Sequence, residues 1–118
     1  MRKTTSTNYE NEATLNEACP VNYALQKLGG RWKLAIVWQL REGEHRFSTL
    51  QGAIKGISPK MLTQQLRELE GDGIIQRLQT ATKNSVSYAL TASGRALMPA
   101  LQELLQWGLL HQNGGPNL

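Results

Sequence analysis

The sequence predicts a mainly α-helical chain with one small β-hairpin (α+β), and three observations predict it. Apolar residues recur at helical spacing in several short segments punctuated by glycine. A serine-proline helix start at Ser58-Pro59 leads through Gly71-Asp72-Gly73 into two β-type runs. A last helical segment, about 92–112, carries more apolar surface than so small a body covers from within. The 118 residues, 40% of them hydrophobic, fit one domain with one modest core.

Residues 1–17 are polar, rich in Thr, Asn and Glu, and show no apolar period, which predicts a flexible N-terminal arm. The folded domain is then expected over 18–112, with a loose tail over 113–118. Pro20 opens a first helix, since its fixed backbone angle suits the first turn. Val21, Ala24, Leu25 and Leu28 repeat along one helical face until Gly29-Gly30. A second helix is expected from Arg31 to about Glu42, with Trp32, Ile36 and Leu40 on one stripe and Gly43 as its stop. Val37 and Trp38 widen that stripe, so this helix is expected to be buried on more than one side. A third, short helix covers about Ser48 to Ala53, with Ser48 as N-cap and Leu50 and Ile54 turned inward.

The fourth helix, about 58–71, carries the strongest local logic. Ser58 is a preferred N-cap, and Pro59 takes the first helical position, where a missing N–H costs nothing. Leu62, Leu66 and Leu69 fall at i, i+4 and i+7 and form the core face. Lys60, Gln64 and Arg67 lie near the opposite side, with Thr63 on the flank. After Gly71-Asp72-Gly73, Ile74 to Leu78 has a strand-like apolar pattern, and Ser85 to Leu90 alternates as a half-buried strand does. The polar turn Thr80-Ala81-Thr82-Lys83-Asn84 joins them. Short helix, tight turn, capped helix and hairpin, in that order, make a winged helix-turn-helix, with the wing over about 74–90.

In the last segment Leu97, Leu101, Leu104, Leu105 and Gly108 form an apolar stripe beside Met98, Trp107 and Leu109. Pro99 interrupts the hydrogen-bond ladder, so a kink or a start nearer Met98 is expected. Two coverings are open for this stripe: the same helix of a second copy, or the chain's own first two helices.

Charge points the same way as the motif. The net charge is +4 and the pI about 9.5. Between 46 and 83 the basic residues Arg46, Lys55, Lys60, Arg67, Arg77 and Lys83 outnumber the acids Glu68, Glu70 and Asp72. This suits a surface that faces phosphates of double-stranded DNA. Lys83 at the hairpin tip reads equally well as a phosphate contact or as an ordinary surface lysine.

Other classes find little support. Cys19 is the one cysteine, so an intrachain disulfide and a cysteine-based metal cluster are excluded, and a reducing, cytoplasmic setting is expected. No apolar run approaches the roughly 20 residues that cross a bilayer, so no membrane partner is expected. His45 and His111 lack ligand or catalytic spacing, and no phosphate-binding glycine loop is present. Neither catalysis nor a cofactor is expected. A small-molecule effector has one candidate place, where Tyr23, Trp32, Trp38 and Trp107 would cluster between the first, second and last helices; plain core is the competing reading. The competing function is a winged-helix protein-interaction module without sequence-specific DNA binding, against which the polar face of the fourth helix argues.

The chain resembles the HxlR-type family of bacterial winged-helix transcription regulators. The resemblance runs from about Cys19 to Gly108. It rests on Cys19-Pro20-Val21, Gly29-Gly30-Arg31-Trp32, Arg46-Phe47 and Gly56-Ile57-Ser58-Pro59-Lys60-Met61-Leu62-Thr63. Leu66-Arg67-Glu68-Leu69, Gly73-Ile74-Ile75, Tyr88-Ala89-Leu90-Thr91-Ala92-Ser93-Gly94 and Trp107-Gly108 continue it. It implies a homodimer joined through the first and last helices, with Val21, Leu25, Leu97, Leu101, Leu104, Leu105 and Gly108 at the interface, bound to a (pseudo)palindromic operator. It also implies that Ser58, Lys60, Thr63, Gln64 and Arg67 contact bases and phosphates, aided by Arg46, Lys55, Lys83 and Asn84. The wing departs from the family pattern, lacking its proline and its arginine before the second strand. Some members of the family sense oxidants or electrophiles through a cysteine at the position of Cys19. Cys19 precedes Pro20 at a helix start, where an anion is favoured, yet the same residue packs well as a small apolar group. Both roles stay open.

Overall fold

The computed structural model describes residues 19–79 and 85–112. In chain order the elements are α1 (Pro20–Leu28), α2 (Lys33–Gln39), β1 (His45–Arg46), α3 (Phe47–Ala53), α4 (Pro59–Gly71), β2 (Ile75–Gln79), β3 (Val86–Leu90), α5 (Ala92–Ala96) and α6 (Met98–His111). The fold is mostly helical with a small antiparallel sheet, as expected. The arm over 1–17, the tail over 113–118, and Lys83 and Asn84 of the hairpin turn lie outside the described residues.

One core holds the elements together. Leu28, Ile36, Val37, Leu40, Leu50, Ile54, Leu62, Leu66, Leu69, Ile75 and Leu90 are buried, drawn from α1 to α4 and from the sheet. In α4 these are the residues at i, i+4 and i+7, so the helical period alone orients the helix. The Ser58 hydroxyl accepts a hydrogen bond from the Met61 N–H at 3.1 Å, with Pro59 in the first turn. At the other end, Gly73 adopts φ 76°, and the Ile74 and Gly73 N–H groups donate to the Leu69 and Glu70 carbonyls, each at 3.0 Å. This left-handed stop turns the chain directly into β2.

Several boundaries differ from the sequence reading. Helix α2 is shorter, Lys33–Gln39, because Arg31 stays outside it and Trp32 serves as N-cap. Helix α3 begins at Phe47 with Arg46 as its N-cap, so Ser48 is inside the helix rather than capping it. The cause is β1, a two-residue strand that the sequence did not reveal. It pairs His45 with Tyr88 and Arg46 with Ser87, giving a three-stranded sheet in the order β1-β3-β2. Arg46 is thereby held extended, and the helix starts directly after it at Phe47, earlier than the sequence predicts. The last helix is two helices, α5 and α6, separated at Leu97, with Pro99 in the first turn of α6. That realises the expected break.

Helix α5 is bolted to the sheet. The Thr91 hydroxyl donates to the Gly73 carbonyl at 2.6 Å and accepts from the Gly94 N–H at 3.1 Å. Gly94 is buried against β2, where a side chain would meet the Ile74 carbonyl.

Candidate nucleic-acid interface

Helix α4 presents Ser58, Lys60, Gln64 and Arg67 to solvent, with Thr63 half-buried on its flank. Lys60, Thr63, Gln64, Arg67 and Glu68 line one open concavity on this face. The Thr63 hydroxyl donates to the Pro59 carbonyl at 2.9 Å, within its own helix. That leaves its oxygen able to accept, and the methyl free for apolar contact.

Gln64 is not idle in the free protein. Its amide nitrogen donates to one Glu68 carboxylate oxygen at 3.2 Å, while the other Glu68 oxygen takes the Lys33 ammonium of α2 at 2.7 Å. The Lys33 hydrogen bond, then the Gln64 hydrogen bond and the Lys33 charge hold the Glu68 carboxyl below its ordinary range. On the outward face the Glu68 carboxylate thus bridges Lys33 and Gln64. The Gln64 amide sits beside it, already oriented.

The other sequence-identified residues fall in different places. Lys55 is exposed in the turn between α3 and α4. Arg46 is exposed on β1, but by strand alternation it points away from its neighbour His45, hence to the opposite face of the sheet. The structure thus does not bring Arg46 onto the α4 side of the sheet.

Two residues that the sequence reading left out of the interface lie next to it. Arg77 of β2 pairs across the ladder with Tyr88 of β3, which pairs in turn with His45, so these three form one cross-strand row. Arg77 and Tyr88 form a cleft with Thr63, Leu66, Arg67 and Glu70 of α4. The signal was present in β2: Arg77 is two residues from buried Ile75 and so shares its face.

The expected interface between copies divides in two. Leu101 is buried and Leu97 half-buried against their own chain. Val21 and Leu25 of α1 and Leu104 and Leu105 of α6 are exposed, by 65%, 56%, 56% and 43%, as are Trp107, Leu109 and Leu110. Gly108 lies among them, partly accessible. Helix α6 thus leaves a broad apolar face exposed, interrupted by Gln102, Glu103 and Gln106 on one side, and buries Leu101 against its own chain.

The four aromatic rings do not converge. Trp38 borders a groove with Leu34, Ala35, Leu101, Leu104 and Leu105, whereas Tyr23 borders a different one with Leu28, Ile74 and Leu97. Trp32 lies beneath the Arg31 guanidinium, and Trp107 stacks on His111 with centroids 4.4 Å apart. Their positions follow the rotation of each helix, so these four rings form no shared cage among the described residues.

Cys19 is half-buried at the start of α1 and makes no side-chain cap. Among the described residues no group of acidic, His or Cys side chains is placed to hold a metal ion. No helix of the described residues is long and apolar enough to cross a membrane.

Known proteins share this arrangement. The family model for the HxlR-like helix-turn-helix matches residues 27–114. The HTH-type transcriptional regulator YdzF of Bacillus subtilis is 36% identical over 110 residues, covering 92% of this chain and 99% of its own. The structure of the redox regulator HypR in its oxidized form matches with a TM-score of 0.75 at 36% identity, over 80% of this chain and 99% of that one. The reduced form of the transcriptional regulator YodB from B. subtilis matches with a TM-score of 0.73 at 35% identity, over 83% and 98%. All three are named regulators rather than enzymes. With a winged helix-turn-helix fold and a family match over most of its length, the chain belongs to the HxlR-like helix-turn-helix family of transcription regulators.

Proposed function

We propose that the protein works in the cytoplasm as a homodimer on a (pseudo)palindromic operator, with α4 as the recognition helix lying in the major groove. The observation that carries this reading is the outward face of α4. It starts at a capped N-terminus, holds exposed Lys60 and Arg67, and carries the oriented amide of Gln64. An arginine fork and a glutamine amide are the donor sets that read guanine and adenine edges. The test is binding to duplex DNA across a salt titration. Arg67→Ala and Gln64→Ala are expected to weaken binding to the preferred site by about 5- to 100-fold and to relax its base preference, with unchanged melting temperature. Binding as tight as wild type would remove α4 from the reading role. Weak, sequence-blind binding by the wild-type chain would favour the protein-interaction module instead.

The dimer would pair the exposed apolar faces of α1 and α6, including Val21, Leu25, Leu104, Leu105 and Gly108, and bring two α4 helices to successive turns of the duplex. Cys19 is the proposed response element for an oxidant or electrophile, through an intersubunit disulfide or an adduct with a small thiol. Its accessibility and the likeness to a protein named as a redox regulator support this role. Cys19→Ser is expected to bind operator like wild type under reducing conditions and to stay bound when an oxidant releases wild type. Equal release of both proteins would end the redox proposal.

A further inference from the structure

A cleft of about 440 Å³ separates α4 from the three-stranded sheet, and the reading above leaves it without a task. Thr63, Leu66, Arg67 and Glu70 form one wall, and Arg77 and Tyr88 the other. We propose that this cleft seats one phosphodiester group of the DNA strand that flanks α4, with Arg77 as its principal ligand and Tyr88 beside it. The proposal rests on α4 being the recognition helix.

Three observations lead to it. The first is the state of the arginines. Among the described residues the ion pairs are Lys27–Asp72 and Lys33–Glu68, so neither Arg67 nor Arg77 is paired with Glu70, although Glu70 lines the same cleft. An arginine placed for stability would be expected to use that carboxylate. Two guanidinium groups against one carboxylate leave the cleft with one net positive charge, which matches a phosphodiester monoanion.

The second observation is the ladder. Arg77 stands opposite Tyr88 on the sheet face shared with buried Ile75, so the backbone register holds its stem toward α4. A planar guanidinium fork suits two phosphate oxygens, and a phenol adds a neutral donor.

The third is continuity. Thr63 and Arg67 line both this cleft and the outward concavity with Lys60, Gln64 and Glu68. They form a ridge with a base-facing side and a sheet-facing side. A helix about 10–12 Å across nearly fills a major groove about 12 Å wide, so the phosphates of the bordering strand run along its flank. On the sheet side, that flank is the cleft.

The test compares wild-type, Arg77→Gln and Arg77→Lys chains at full length. The probes are a duplex selected by wild type from a random-sequence pool and a duplex of unrelated sequence. Arg77 is exposed, so the variants are expected to melt with wild type. Arg77→Gln is expected to bind both duplexes about tenfold more weakly, with base preference unchanged and the log–log salt slope shallower by about 0.9. Arg77→Lys is expected to keep the slope and recover part of the affinity. An Arg77→Gln chain equal to wild type in affinity and slope overturns the cleft alone, whereas a wild-type chain that enriches no duplex from the pool overturns α4 as reader and the cleft with it. Inorganic phosphate supplies the remaining arm. If it raises the melting temperature of wild type but not of Arg77→Gln, while both bind DNA equally, the cleft serves a free anion and the DNA assignment is overturned.

Discussion

A Leu104→Glu chain is expected to be a folded monomer that has lost at least about 100-fold in operator affinity. Leu104 is 56% exposed, so the substitution removes little from the chain's own core and should leave its melting behaviour near that of the separated wild-type chain. Around it, Leu105, Trp107, Leu109 and Leu110 give α6 a broad exposed apolar surface, and Val21 and Leu25 add another on α1. A helix of that kind is stable in water when most of it is covered. Burying one leucine side chain contributes roughly 1.5–3 kcal/mol. A carboxylate in its place would be desolvated without a partner. Two half-sites read by linked α4 helices bind tighter than one by about 10²–10⁴, and that factor is what the monomer forfeits. Light scattering after size exclusion reads the assembly, and retention of the selected duplex reads the affinity. A Leu104→Glu chain that remains dimeric would mean that the copies meet through another face.

Gly94→Ala is expected to produce a large loss of stability for a single added methyl. A Cβ built at Gly94 would stand 2.3 Å from the Ile74 carbonyl oxygen and 3.0 Å from Leu90 Cδ2. The first of these is backbone, so the methyl cannot be relieved by turning a side chain. The Ile74 carbonyl also accepts from the Thr91 N–H at 3.0 Å, so α5 cannot withdraw without straining that bond. A loss of roughly 3 kcal/mol follows from forced overpacking of this kind, which lowers the melting temperature of a domain this size by about 15 °C. Gly52→Ala is the matched control. It lies in α3 with open space around it, and a helical alanine there is expected to be neutral or to add up to about 1 kcal/mol. Thermal melts of the two variants decide the matter: equal melting temperatures would show that α5 docks loosely on the sheet.

The parts of this fold that the sequence made legible are those with local chemistry. Ser58-Pro59 announces a helix start through a hydroxyl that accepts the Met61 N–H, and Leu62, Leu66 and Leu69 orient that helix by period alone. The break near Pro99 follows from the proline ring, and the exposed apolar surface of α6 was foreshadowed by an excess of leucine. What escaped depends on residues distant in sequence. Strand β1 has two residues, too few for any alternation, and exists because Tyr88 and Ser87 pair with it. That pairing moves the start of α3 and sends Arg46 to the far face of the sheet. The α4 side chains were legible as a polar stripe, but the link from Lys33 through Glu68 to Gln64 needed the packing of α2 on α4. Arg77 was visible as a charge in the right region. Its place opposite Arg67 required the hairpin register and the tilt of α4 together.

The division at Leu97 has a mechanical meaning. Before it, Thr91 and Gly94 rivet α5 to the sheet that carries the wing; after it, α6 extends as an arm anchored in the body by Met98 and Leu101. Were two copies to clasp by that arm, the single bend between Ala96 and Met98 would act as a protractor, setting how far apart and at what tilt the paired α4 helices stand. The duplex demands about 34–36 Å per helical turn between them. Descendants of such a protein can then retune the spacing of their operators by altering one joint, leaving the reading surface itself untouched.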